Sequence, residues 1–316
     1  MLANRIKASD IGNGVLLRSL AREARNNGQL YLILLPALTY YLIFHYWPMY
    51  GVQIAFRDFM AARGIWGSRW VGLENIARFL RSYSAPMVIA NTLRVSLLSL
   101  ILGFPGPVLL ALMIHELRNQ RYKRTLQILS YAPHFISTVA IVGMLTIMLS
   151  ARGLFNTLLA RFGEGPVPFL TDPGRFVYVY VLSGIWQNMG WGSVIYFSVL
   201  SGIDPQMHEA ALIDGANKVQ RIRYIDLPTI APTMIILLIM SCGSILSVGW
   251  EKIYLMQNSL NLSTSEVIST YVYKIGLINA DYSYSAAIGL FNSVVNLAML
   301  LIVNAIARRV SETSLW

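Results

Sequence analysis

Apolar residues along this 316-residue chain fall in long blocks separated by polar segments, not in strict alternation. Each block approaches the roughly 20 residues that a helix needs to cross a bilayer core, which is too long for ordinary buried strands. Six blocks are legible, at about Leu30 to Ile54, Val88 to Ile114, Leu126 to Leu149, Phe176 to Leu200, Ile230 to Trp250 and Tyr284 to Ala307. The first carries Tyr40, Tyr41, Tyr46, Trp47 and Tyr50 toward one end, where amphipathic rings favour the headgroup region. The second contains Gly103, Pro105, Gly106 and Pro107, which predict a kink, and the third contains Pro133. The pattern predicts an all-α, polytopic membrane protein with six transmembrane helices in one domain over 30–308. A cytoplasmic N-terminal segment (1–29) and tail (309–316) flank it.

Composition supports a membrane setting. Apolar residues make up 55% and charged residues 13%, against about 25% charged in soluble domains. Arg118, Arg121, Lys123 and Arg124 cluster directly after the second block, which puts that loop, and with it both termini, in the cytoplasm. In the N-terminal segment Val15, Leu16, Leu17 and Leu20 alternate with Arg18, Arg22 and Arg25. That pattern suits a helix lying in the inner interface, or a disordered basic tail. Charges throughout the segment, with no apolar run before a small-residue cleavage site, argue against a secretory signal.

The net charge of +10 is scattered among the blocks without any nucleic-acid-binding motif, so orientation and lipid contact account for most of it. Arg57, Arg63, Arg69, Arg78 and Arg81, offset by Asp58 and Glu74, make the first outside loop basic, as a solvated charge run or as an attraction for acidic partners. Arg94 lies early in the second block, where it snorkels to the headgroups or faces an anion. Cys242 has no partner for an internal disulfide, and His45, His115, His134 and His208 show no metal-ligand spacing, so no metal is expected. HExxH, GxSxG and GxxxxGK[ST] are all missing, which speaks against a catalytic role and against ATP hydrolysis by this chain. Neither intramembrane carboxylates nor inverted repeats point to an ion-driven transporter.

Between the fourth and fifth blocks, the loop 203–229 reads as built structure. Asp204 caps a helix opened by Pro205, and Gly215 ends it with a left-handed turn. A second helical stretch, about Lys218 to Ile225, leads to Leu227 and Pro228 at the opening of the fifth block. Ala210 and Ala211 leave a shallow surface, with Glu209 and Asp214 offering charge to a partner.

The residues Glu209-Ala210-Ala211, Asp214-Gly215-Ala216 and Ile225-Asp226-Leu227-Pro228 resemble the EAA signature of ABC importer permeases, at the family's spacing. The six-block layout resembles the type I importer fold, most closely the carbohydrate permeases. Within these, Tyr282 to Ser293 and Tyr131 to Ser137 are similar to the subgroup handling uronic acid oligomers such as alginate. The resemblance implies that Glu209, Ala210, Ala211, Asp214, Gly215, Leu227 and Pro228 couple the chain to an ATPase. It implies as partners a second, non-identical permease, two ATPase subunits that bind ATP and Mg, and a periplasmic solute-binding protein, with no cofactor in this chain. The location implied is the bacterial inner membrane. A neutral oligosaccharide or another solute is the alternative cargo.

Polar residues inside membrane blocks are costly, so they are candidates for a substrate path. Trp186, Gln187, Asn188 and Trp191 cluster in the fourth block, Trp250 closes the fifth, and Asn292, Asn296 and Asn304 lie near one face of the sixth. Aromatic faces with amides suit sugar rings, and helix packing is the competing use.

Overall fold

The computed structural model describes residues 27–310 with Ser314 and Leu315. The interfacial helix considered for Val15 to Arg25 lies outside them. The chain forms two compact units, 1–53 and 54–316.

The first unit carries most of helix α1, Gly28–Phe56, which contains Pro36 and a π turn at Leu42–Tyr46. No residue from Gly28 to Met49 is buried, although nearly all are apolar. Such a surface belongs in lipid or against another protein.

In the second unit, a two-stranded hairpin (β1, Arg57–Asp58; β2, Arg69–Trp70) precedes α2, Glu74–Arg81. Helix α3, Ser84–His115, breaks at Phe104, just ahead of Pro105, where the sequence predicts its kink. The third block is not one straight span. It forms α4, Gln120–Phe135, and α5, Thr138–Met148, bent by 99°. Pro133 tightens the end of α4 into a 3₁₀ turn, and the Ser137 side chain then caps α5 by accepting from the Ala140 N–H. After α6, Leu154–Ala160, comes α7, Pro173–Ser201.

The loop helix α8, Pro205–Ile213, leads into α9, Lys218–Gly243. The fifth block therefore ends at Gly243 and not at Trp250, which begins a separate short helix, α10, Trp250–Met256. Helices α11, Ile268–Tyr273, and α12, Tyr282–Val310, complete the chain. Among the described residues, four helices are long and apolar enough to cross a membrane, or five if α4 and α5 make one span. Helix α7 matches them in length at 29 residues, but Trp186, Gln187, Asn188 and several glycines make its middle too polar to stand out.

Three buried clusters hold this unit together. Phe79, Val88, Leu246, Tyr284 and Ile288 form one, Val95, Val142, Phe176 and Ile253 the second, and Val108, Tyr196, Leu200 and Ile230 the third. Helix α7 packs along both halves of α3. It also meets α4 so closely at Gly190 that any Cβ there would strike the Ser130 backbone carbonyl. The segment around α10 is tied down by amides: buried Asn261 donates to the carbonyls of Leu170 (2.8 Å) and Met256 (3.0 Å), and Asn91 donates to that of Glu266 (3.0 Å).

Candidate functional site

The loop 203–229, the candidate docking element, has the local structure its residues dictate. The Asp204 carboxylate accepts from the Gln206 N–H at 3.0 Å, and Gly215 takes φ 81° while the Ala216 N–H reaches back to the Ala211 carbonyl at 2.8 Å. Asn217 and Gln220 form a reciprocal capping box (2.9 and 2.8 Å) that starts α9.

The sequence suggests a separate stretch up to Ile225, with Pro228 opening the span; the structure instead makes one continuous helix with Pro228 and Pro232 inside it. A π turn at Ile222–Asp226 solves the proline problem, because its wider loop lets the Leu227 N–H bond to the Ile222 carbonyl just before the missing donor. Glu209, Ala210, Asp214, Gly215 and Pro228 are exposed, Ala211 and Leu227 partly so. Met207, Leu212 and Ile213 also stand out from the loop, Ile213 at 87% exposure. An apolar, acid-flanked helix in this state has the make-up of an interface core awaiting a partner.

Beneath the loop lies a group that sequence spacing concealed. His208 Nε2 of α8 sits 3.3 Å from Oδ1 of Asp226, which is fully buried at the foot of α9, and the His115 ring at the end of α3 lies 6.0 Å from that of His208. Arg221 and Glu116 add an ion pair at 3.4 Å. Together these side chains fasten the docking helix to two membrane helices. Among the described residues, His115, His208 and Asp226 are also the one group whose donor atoms converge, all within 4.8 Å, as a divalent ion would require. His208 faces the carboxylate at 3.3 Å, while both Asp226 oxygens and both His208 ring nitrogens lack a hydrogen-bond partner among the described residues.

The second feature is a hollow at the kink of α3, largely apolar with polar side chains interspersed. One part, about 510 Å³, is lined by Ser96, Ser99, Asn188, Ser241, Ser244 and Ser247, among others. It shares Ser99, Gly103, Pro107, Tyr180 and Asn188 with a second part of about 300 Å³ that adds Gln187 and Lys252. These sizes fall within the range of small-molecule sites.

Of the path residues suggested by sequence, Gln187 and Asn188 line this hollow. The others are placed elsewhere. Trp191 stacks on His134 (5.0 Å between centroids), Trp186 is 45% exposed, and Trp250 stacks on Tyr273 at 4.7 Å. Asn296 accepts from the Leu246 N–H and donates to Ser247 Oγ, which fixes the reversal after α9. Asn292 is partly buried, and buried Asn304 accepts from the Leu315 N–H. Arg94 is exposed. Sequence reasoning missed the serines and Lys252, which lies just past the end of the fifth block. Their signal is weak because serine and a lone lysine are ordinary loop residues.

A family model described as "Binding-protein-dependent transport system inner membrane component" matches residues 103–312. Protein LplB of Bacillus subtilis is 39% identical over 288 residues, 91% of each chain. The polygalacturonan/rhamnogalacturonan transport system permease protein YteP of the same organism is 38% identical over 91% of this chain and 90% of its own. A chain from the bacterial alginate ABC transporter, solved in complex with alginate pentasaccharide-bound periplasmic protein, is similar with a TM-score of 0.85. It is 38% identical, with 93% of this chain and 99% of that chain covered. A chain from a bacterial ABC transporter involved in the import of the acidic polysaccharide alginate is similar to the same degree, at 39% identity. The family match takes in more than half of the chain, including the whole docking loop, and this chain belongs to the inner membrane components of binding-protein-dependent transport systems.

Proposed function

We propose that this chain is one permease subunit of an ATP-driven importer of oligosaccharides, acidic ones of the uronate kind in particular. The observation that carries the reading is the near full-length likeness, at a TM-score of 0.85 and 38% identity, to a permease chain crystallised with an alginate-loaded binding protein. YteP, whose name gives polygalacturonan, another polyuronate, as its cargo, supports the same class.

On this reading, α1, α3, the α4–α5 pair, α7, α9 and α12 are the six spans. The loop α8 and both termini face the cytoplasm. A second, unlike permease completes the path, two ATPase subunits bind ATP and Mg, and a periplasmic binding protein delivers the sugar. Glu209, Ala210, Ala211, Asp214 and Gly215 seat in the ATPase, while Leu227 and Pro228 carry the connection into the span. ATP-driven closure of the ATPase pair then moves the spans between outward- and inward-open states.

The test is ATP hydrolysis by the reconstituted complex with its binding protein, comparing a uronate oligosaccharide with maltotriose. Stimulation by the uronate alone is expected. Stimulation by the neutral sugar alone would keep the importer and reject the acidic cargo.

A further inference from the structure

Lysine side chains are among the least often fully buried, and those that are buried are paired or hydrogen-bonded. Lys252 is 8% exposed, and its Nζ has no hydrogen-bond partner among the described residues. None of their ion pairs includes it. The neighbouring Glu251 is exposed and pairs with nothing in that set.

What faces the ammonium is the hollow: the Tyr180 ring lies 5.4 Å away, and Gly184 leaves the space that any side chain would narrow, since a Cβ there would come to 3.8 Å from Nζ. Gln187, Asn188 and Ser99 line the same space. The lysine is held there firmly. Ile253 and Met256 of α10 pack in the core cluster with Val95, Val142 and Phe176.

The lining thus offers the Gln187 amide and the Ser99 hydroxyl for hydrogen bonds with sugar hydroxyls, an aromatic face for the apolar side of a ring, and one cation without an anion, while Asn188 is already bonded to His134 and to the Gly184 carbonyl. The geometry points to Lys252 as the group in the translocation path that receives the carboxylate of an acidic sugar. This inference rests on the oligosaccharide reading above and names the side chain that would select for charge. Three ammonium donors on a flexible stem suit a passing ligand better than a fixed fork, because the contact re-forms as successive sugars move by.

The test uses the complete complex in proteoliposomes, with the alginate trisaccharide as probe. Import and binding-protein-stimulated ATP hydrolysis are measured for the native complex, Lys252→Gln and Lys252→Arg. We expect Lys252→Gln to keep stimulated ATP hydrolysis within two-fold but to lower sugar moved per ATP by about ten-fold, a loss of about 1.4 kcal/mol in effective stabilisation. Lys252→Arg should restore at least half. An unchanged ratio in Lys252→Gln would overturn the inference and leave the importer reading intact. Equal loss of stimulated hydrolysis in both variants would also overturn it, because the lysine would then be serving packing. If the native complex hydrolyses ATP but imports no uronate, the acidic-cargo reading fails, and this assignment with it.

Discussion

The candidate docking loop and the hollow at the α3 kink are built in opposite ways. In the loop, hydrogen bonds join residues two to five apart, from Asp204–Gln206 to the Asn217–Gln220 box, and apolar side chains such as Ile213 point outward. In the hollow, side chains from α3, α7, α9 and α10 converge from far apart in the sequence and set a few serines, amides and Lys252 into an otherwise apolar lining. The first is a self-sufficient part that keeps its shape while its surroundings move. The second exists only as long as its helices hold their relative positions, so sliding or tilting them changes its size. A machine that converts a push at one end into opening at the other needs both kinds of part.

That contrast can be broken at several points. The largest effect is expected for Gly190→Leu, which forces α7 away from the Ser130 backbone and should cost about 3 kcal/mol or more by overpacking. The hollow's wall would be lost, and detergent-purified complex should show a clearly lower Tm and little import. Gly215→Val comes next. With φ at 81° it costs about 1–2 kcal/mol locally and meets no steric neighbour. Global Tm should barely move, while ATPase association, followed by co-purification, and import should each fall about ten-fold.

His208→Ala removes the partner of buried Asp226 and should cost about 1–3 kcal/mol. ATPase subunits should remain bound, but sugar moved per ATP should drop several-fold in proteoliposomes. The smallest effect is expected for Asp204→Ala. Loss of one cap costs about 1 kcal/mol and should appear only as faster amide exchange over 206–208 and a modest fall in import. If Asp204→Ala proved as damaging as Gly190→Leu, the loop could not be the locally determined part described here.

The same contrast explains what could be read from residues alone. Caps, Pro205 at a helix start and Gly215 past its end are local chemistry, so the docking helix was legible almost residue by residue. Block hydrophobicity located the four long apolar helices and the bent α4–α5 pair, and the glycines and prolines near 105 located the kink. Two boundaries were not legible. Hydropathy runs unbroken through Pro133 and Ile136, although the backbone turns by 99° there, and it runs on from Gly243 to Trp250 although the helix has ended. Lys252 and the His115–His208–Asp226 group escaped because their meaning lies in contacts between distant segments. Trp191 and Asn296, chosen for polar-aromatic chemistry, turn out to serve ring stacking and the chain reversal after α9.

The unbroken run of α9 has a mechanical consequence. Its 26 residues, rising 1.5 Å each, make a rod of about 39 Å. One end begins at the Asn217–Gln220 box beside the docking helix, and the other delivers Ser241 to the hollow, with Ser244 and Ser247 just beyond. Pivoted near its base, where Asp226 is gripped, such a lever arm tilting by about 10° would swing its far tip by about 4 Å over the remaining 17 residues. That stroke is comparable to the width of a sugar ring, so on the importer reading proposed above a small rotation at the base of α9 would suffice to change the size of the compartment beside Lys252.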